Sequence, residues 1–196
     1  MEPIILASSS PRRQEILKKL RIPFRVVLPA AEEKISKSLK NEEIPEYLAK
    51  QKVNSVIKAL PPGQEIPWIL GADTIITMGS AHYGKPQNQE EAYDFIKQFQ
   101  GRSHNVITAI VLYNGRKKSM TSRICKTKVT FAPMTDQEIQ WYVDTGEWHG
   151  AAGAYRIQGD ASTFITKIEG SYSGVVGLPI YELYDILKEQ GYSVLE

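Results

Sequence analysis

The sequence predicts an α/β or α+β fold in which helices cover the faces of a β-sheet. Three observations support this class: a strand–helix–strand opening, a central β-hairpin, and helices in both flanking parts of the chain. The composition, with 42% apolar, 23% charged and 9% aromatic residues, is that of an ordinary globular protein and excludes disordered, collagen-like and coiled-coil classes. Because no repeat or long linker interrupts the chain, we expect a single domain over residues 1–196.

The first half of the chain alternates short apolar runs with amphipathic segments. Residues Ile4 to Ala7 form an apolar run typical of a buried strand. Ser10 followed by Pro11 predicts the start of a helix that ends near Arg21. The other elements predicted here are a strand over 24–28, a polar loop over 32–43, a helix over 45–59, a strand over 68–77 that Asp73 interrupts, a turn over 82–86 and a helix over 90–100.

The second half opens with a hairpin signal. Asn114-Gly115 lies between two β-branched runs, and this dipeptide is typical of a tight turn between antiparallel strands. Thr135 and Glu138 match a capping box that opens a helix to about Thr145. The remaining predictions are strands over 106–112, 119–131 and 163–168, a glycine- and alanine-rich segment over 150–159, a tight turn over 174–179 and a last helix over 179–190.

Charge and cysteine content restrict the class of protein. The net charge of +2, from 24 basic and 22 acidic residues, favours neither a nucleic-acid coat nor a polybasic membrane anchor. The single Cys125 excludes an intrachain disulfide and a multi-cysteine zinc site, and is typical of a reducing compartment. No run approaches the roughly 20 apolar residues of a membrane span, and the N-terminal run is too short for a signal peptide. We expect a soluble, cytoplasmic protein that binds neither nucleic acid nor membrane.

The segment from Ser8 to Arg13 is a candidate phosphate site. A strand that ends in hydroxyls and leads directly into a helix presents unpaired backbone N–H groups, and the helix dipole adds positive potential there. Arg12 and Arg13 would add charge-assisted contacts to a phosphate. A plain capped helix with solvated arginines has about the same weight, since Ser-Pro helix starts are common.

Asp73 is the strongest single candidate for chemistry. A carboxylate inside an apolar strand is unfavourable to bury unless it is paired or bound to a metal. It is therefore a candidate general base or metal ligand. The alternative is an aspartate that caps a turn at the end of the strand, and the apolar residues on both sides favour the functional interpretation.

Three further residues carry weaker signals. Lys85, between a glycine and a proline, lies on a stiff turn and could reach a phosphate, although Gly-Lys-Pro also makes a good surface turn. Lys52 lies in mid-helix, where a lysine is usually solvated. Gln158 could read a base edge through its amide, while a tightly packed loop is the favoured alternative. The sequence contains no P-loop, dinucleotide-binding, HExxH or GxSxG motif.

Taken together and in order, these segments resemble the Maf family of nucleoside triphosphate pyrophosphatases. The resemblance implies a mixed α/β fold, with an elongated central mixed sheet and a cleft between two lobes. It also implies hydrolysis of a nucleoside triphosphate to the monophosphate and pyrophosphate, with a divalent metal and usually as a homodimer. The matching segments are 6–13, the acidic pair 32–33, Lys52, 71–74, 84–86, 151–159 and 174–179.

The resemblance also implies a role for each candidate residue. Arg12, Thr74 and Gln158 match the branch that acts on dTTP and UTP, whereas the 7-methyl-GTP branch has tryptophan, glutamine and glutamate there. Asp73 would orient or deprotonate the attacking water. The residues implied to bind the phosphates are Ser8, Ser10, Arg13, Lys52 and Lys85.

The metal implied by the resemblance is Mg²⁺, with Mn²⁺ or Co²⁺ as alternatives. Asp73 and Glu33 would be its ligands, and Glu32 stays open as the alternative to Glu33. Two other functions stay open: regulatory binding in septum formation, and nucleotide binding without turnover. A metal-ligating acid beside a phosphate site favours hydrolysis, since a pure binder does not need one.

Overall fold

The computed structural model describes residues 1–30, 39–61 and 68–194. The strands are β1 (Ile4–Ala7), β2 (Phe24–Val26), β3 (Trp68–Met78), β4 (Ala81–Tyr83), β5 (Ser103–Asn114), β6 (Ser119–Phe131) and β7 (Ile165–Glu169). The helices are α1 (Pro11–Lys19), α2 (Ile44–Ala59), α3 (Gln89–Phe99), α4 (Asp136–Asp144), α5 (Tyr172–Val176) and α6 (Ile180–Gln190).

Within these residues the seven strands form one sheet of mixed direction. Its order is β2-β1-β3-β5-β6-β7, with β4 paired to β3. Strand β1 is parallel to both β2 and β3, whereas β4 is antiparallel to β3 and β7 is antiparallel to β6. The mixed α/β class is therefore confirmed. In the described ranges, no helix is long and apolar enough to cross a membrane.

A proline marks the start of α1, and side-chain caps mark the starts of α3 and α4. Pro11 is the first residue of α1, as the Ser-Pro signal predicted. The predicted capping box of α4 is present: the Thr135 hydroxyl accepts the Glu138 N–H at 3.2 Å, and the Glu138 carboxylate accepts the Thr135 N–H at 2.7 Å. The side chain of Asn88 accepts the Glu91 N–H at 2.9 Å and caps α3.

Several local predictions need correction. Asp73 does not interrupt its strand, because β3 continues through it to Met78. The segment 174–179 is not a turn throughout: α5 extends to Val176, and Gly177, with φ of 116°, follows the helix. The segment 82–86 begins in strand β4, which pairs with the end of β3.

The predicted hairpin joins β5 to β6, but its turn is longer than two residues. The loop covers residues 115–118, because the Asn114 side chain accepts the N–H groups of both Arg116 and Lys117, at 3.1 and 3.2 Å. The bond to Arg116 forms an Asx turn at the start of this four-residue loop.

The chain divides into two compact units. Unit 1 comprises Met1–Asp73, Thr108–Cys125 and Gly177–Glu196, and unit 2 comprises Thr74–Ile107 and Lys126–Val176. The single domain and the cleft implied by the resemblance stay predictions. A buried cluster of unit 1 joins α2 to the sheet and contains Ile5, Ala7, Ala49, Val53, Val56, Ile69 and Val111. The main cluster of unit 2 includes Ile96, Phe99, Val129, Phe131, Ile139, Tyr142 and Tyr155.

Candidate active site

The strand order creates a topological switch point in unit 1. The chain passes from β1 through α1 to β2 on one side of β1, and then through α2 to β3 on the other side. Ligands of parallel α/β sheets bind at the carboxyl ends of the strands at such a point. Ala7, the last residue of β1, pairs with Gly71 of β3. Ala7 and Gly71 are thus neighbours in the sheet. The segment that leads into α1 follows Ala7, and Asp73 follows Gly71 two residues later in β3.

Asp73 forms a buried ion pair with Lys52. The Lys52 Nζ atom of α2 lies 2.5 Å from Oδ1 of Asp73, and the two side chains are 11% and 10% exposed. Such a charge is tolerated in an apolar strand because the opposite charge is held against it. The predicted alternatives, a turn-capping aspartate and a solvated lysine, are therefore wrong.

Gly71 allows α2 to approach the sheet at this position. A Cβ atom on residue 71 would lie 2.7 Å from the carbonyl oxygen of Ala49 and 2.6 Å from Cγ2 of Val53. Both neighbours belong to α2, the helix that carries Lys52. A side chain at residue 71 would thus push the helix away from the strand that carries Asp73.

We expect Gly71→Ala to lower the free energy of unfolding by about 1–3 kcal/mol, because the backbone of α2 must move to make room. Urea denaturation of the variant and the parent measures this difference. Gly84→Ala is the matched control, since a Cβ atom there meets nothing within 4 Å. Equal losses in both variants would contradict the importance of the close approach.

The start of α1 is held by a buried arginine. Arg13, 8% exposed, donates from Nη1 to the Ser8 hydroxyl at 3.0 Å and from Nε to the Gly177 carbonyl at 2.8 Å. Solvation of this arginine, the alternative from the sequence, is therefore wrong, whereas Arg12 is half-buried. The Ser10 N–H donates to Ser8 at 3.2 Å, but the buried Ser10 hydroxyl has no hydrogen-bond partner among the described residues.

Unit 2 carries the other predicted site residues. Thr74 is half-buried in β3, while Lys85 and Gln158 are exposed. The Gly84 carbonyl accepts the Gly153 N–H at 2.8 Å, which ties the turn before Lys85 to the segment that leads to Gln158. The structure thus brings the neighbourhoods of these two residues together within this unit.

Comparison with known proteins identifies the family. The family model described as "Maf-like protein" matches residues 3–190. The chain belongs to the Maf family.

Relatives of this Maf protein match along nearly its whole length. A Pelotomaculum thermopropionicum protein named dTTP/UTP pyrophosphatase is 41% identical over 195 residues, which cover 100% of both chains. A Carboxydothermus hydrogenoformans protein of the same name is 42% identical over 189 residues, covering 96% of this chain and 99% of the relative. Among solved structures, the Ham1 protein of Staphylococcus aureus aligns with 69% of this chain and 73% of its own, with a TM-score of 0.44 and 15% identity.

The predicted metal ligands of this Maf protein are only partly described. Glu32 and Glu33 lie outside the described residues. Within the ranges that the structure describes, no group of three or more His, Cys, Asp or Glu side chains could hold a metal ion. Asp73 offers buried carboxylate oxygens, the donor type that a hard divalent cation prefers. This side chain therefore fits the role of one ligand.

Sequence reasoning underrated Lys52 and did not separate the roles of the two arginines. Lys52 lies one helical turn from both Leu48 and Val56, in the apolar stripe of α2. Its place in this stripe therefore predicts that it lies on the buried face of the helix. Arg13 likewise lies three and four residues before Ile16 and Leu17, on the buried face of α1. Helical periodicity was the signal that could have found both. The Gly177 carbonyl that holds Arg13 carries no such signal, because any residue has a carbonyl.

Proposed function

We propose that this Maf protein hydrolyses dTTP and UTP to the monophosphate and pyrophosphate, and thereby removes these triphosphates from the cellular nucleotide pool. The observation that carries the proposal is the buried Asp73 carboxylate, paired with Lys52 at the carboxyl end of β1. The names of the full-length relatives support the substrate.

Asp73 is assigned the role of orienting the attacking water and accepting its proton. Water attacks the α-phosphorus, the bond from this phosphorus to the bridging oxygen breaks, and pyrophosphate leaves with the bonding electrons. Lys52 compensates the buried negative charge and fixes the direction of the carboxylate. This fixed direction supports the assignment, since a general base must stay aligned with the water that it deprotonates.

Cationic and polar groups are assigned to the phosphates. The start of α1 presents backbone N–H groups and the positive end of a helix dipole. Because negative charge develops on the leaving pyrophosphate, such groups stabilise the transition state. The proposed phosphate-binding residues are Ser8, Ser10, Arg13, Lys52 and Lys85.

The proposal includes a divalent cation, Mg²⁺ with Mn²⁺ or Co²⁺ as alternatives. Asp73 and Glu33 would hold it, with Glu32 as the alternative to Glu33. When bound, the cation would neutralise charge on the phosphate oxygens. We also propose that the protein is cytoplasmic and forms a homodimer, as the family resemblance implies.

Arg12, Thr74 and Gln158 are proposed to read the base. Uracil and thymine present two carbonyl acceptors on either side of one N–H donor. A glutamine amide can accept from that N–H and donate to a carbonyl, and an arginine can donate to the other carbonyl. Cytosine replaces one acceptor with a donor, which leaves polar groups of the site unpaired.

We expect pyrophosphate release from dTTP and UTP in the presence of Mg²⁺, much weaker release from CTP and purine triphosphates, and none with EDTA. Gln158→Glu should lower kcat/KM for UTP and dTTP, because it removes the amide donor. Gln137→Glu, which adds the same charge at an exposed position of α4, is the matched control. Faster hydrolysis of GTP than UTP, or equal rates for CTP and UTP, would contradict the proposed specificity.

A further inference from the structure

Gln158 lies on a tight turn of unit 2. The Gly159 N–H donates to the Arg156 carbonyl at 3.1 Å and closes the turn, so Gln158 is its third residue. Ile157, the second residue, is buried, whereas Gln158 is exposed. The point and direction from which the Gln158 side chain leaves the backbone therefore depend on what holds the two ends of this turn.

A buried hydrogen bond holds the N-terminal end. The hydroxyl of Tyr155, the residue before the turn, lies 2.8 Å from Nε2 of His104. The His104 ring packs against Phe99 with ring centres 4.3 Å apart, and the Tyr155 ring packs against Phe131 at 5.1 Å. Tyr155 cannot move away without leaving a buried polar atom unsatisfied inside an aromatic cluster.

A carboxylate holds the C-terminal end. Oε2 of Glu147 accepts the N–H of Asp160, the residue directly after the turn, at 2.9 Å. A Cβ atom on residue 159 would overlap this carboxylate, so Gly159 leaves the space that Glu147 occupies. The two anchors thus lie one residue before and one residue after the turn that carries Gln158.

We propose that Glu147 and the Tyr155–His104 pair are positioning residues that fix the Gln158 amide for recognition of the pyrimidine base. This inference rests on the proposed function. Uracil and cytosine differ in the direction of two neighbouring hydrogen bonds, those of ring atom N3 and of the group on C4, so discrimination between them requires an amide whose oxygen and nitrogen keep fixed places. Both anchors are far from Asp73 in sequence and have no assigned part in the chemical step.

The test is the ratio of kcat/KM for UTP to kcat/KM for CTP in variants of the whole protein. Glu147→Met removes the acceptor, and we expect this ratio to fall about 10- to 100-fold, because a small displacement of a recognition group has effects of that size. KM for UTP should rise more than kcat falls. Glu147→Gln keeps an oxygen acceptor for the Asp160 N–H and should restore most of the ratio.

A double-mutant cycle separates positioning from general stability. On a Gln158→Ala background, Glu147→Met should change the ratio no further, since its effect passes through Gln158. Tyr155→Phe removes the hydroxyl of the other anchor, and the ratio is measured in the same way. This variant keeps the proposal testable if Glu147→Met does not fold. Glu138→Met, which also removes a carboxylate that accepts a backbone N–H, is the matched control and should leave the ratio unchanged.

Different results would overturn the two proposals. If the parent prefers purine triphosphates, or hydrolyses no nucleotide, the proposed function fails and so does base reading by Gln158. If the parent prefers UTP but Glu147→Met and Tyr155→Phe leave the ratio unchanged, only the positioning role fails. The positioning role also fails if the effects of Glu147→Met and Tyr155→Phe on the ratio add fully to the effect of Gln158→Ala.

Discussion

Asp73→Asn should lower the rate of pyrophosphate release from UTP by at least about 100- to 10,000-fold, the usual effect of losing a general base. Loss of a metal ligand would increase the effect. The asparagine has nearly the same shape and keeps an oxygen that can accept from Lys52, so the fold should persist. The measurement is turnover at saturating Mg²⁺, together with the circular dichroism spectrum of the variant.

The matched control for Asp73→Asn is Asp185→Asn. Asp185 also accepts a hydrogen bond from a cation, Arg123, at 2.8 Å, but it lies on α6 and is 45% exposed. The control variant should retain nearly all activity. Activity of Asp73→Asn within a factor of a few of the parent would contradict the assignment of Asp73 as the base.

His104 should make the protein sensitive to acid. Burial lowers the pKa of His104 from 6.5 to about 3, because a charged imidazole would lose its hydration among Phe99, Phe131 and Tyr155. Between these two values, the unfolded chain binds a proton at this residue and the folded chain does not. The free energy of unfolding should therefore fall by about 1.4 kcal/mol for each pH unit from 6.5 down to about 3, with no contribution above 6.5.

Urea denaturation at a series of pH values tests this prediction. His104→Gln lacks the titrating group, so its loss of stability between pH 7 and pH 4 should be smaller than that of the parent. His82→Gln is the control, because His82 is exposed, and its pH profile should run parallel to that of the parent. Equal slopes for the parent and His104→Gln would show that His104 does not control acid unfolding.

The sequence predicted those features that can be recognised from residues lying close together in the chain. Asp73 stood out because its charge conflicts with its apolar neighbours, and the structure explains the conflict by Lys52. The capping box at Thr135 and Glu138 was found because both partners lie within one helical turn. Hydrophobic patterning found β1 with the bounds 4–7 and β3 to within one residue, although it placed an interruption at Asp73.

Other features depend on partners that are distant in the chain. The space that Gly71 leaves for α2 becomes visible only when the helix is in place. Glu147 and the Tyr155–His104 bond were missed because none of these residues conflicts with its sequence neighbours. Helix α5 replaced a predicted turn because glycines alone do not show whether a short helix precedes Gly177.

The hydrogen bond between Arg13 and Gly177 has a consequence for how the protein folds while it is being synthesised. The two residues are 164 positions apart, yet the guanidinium at the start of α1 is held by this carbonyl. Strands β1 and β2 with α1 between them can pair while the ribosome is still translating, because their contacts are local in sequence. Arg13 must wait for its partner until residue 177 has left the exit tunnel. The support of α1 is therefore completed only after the residues of all seven strands of the described sheet have been synthesised, whatever order the other contacts follow.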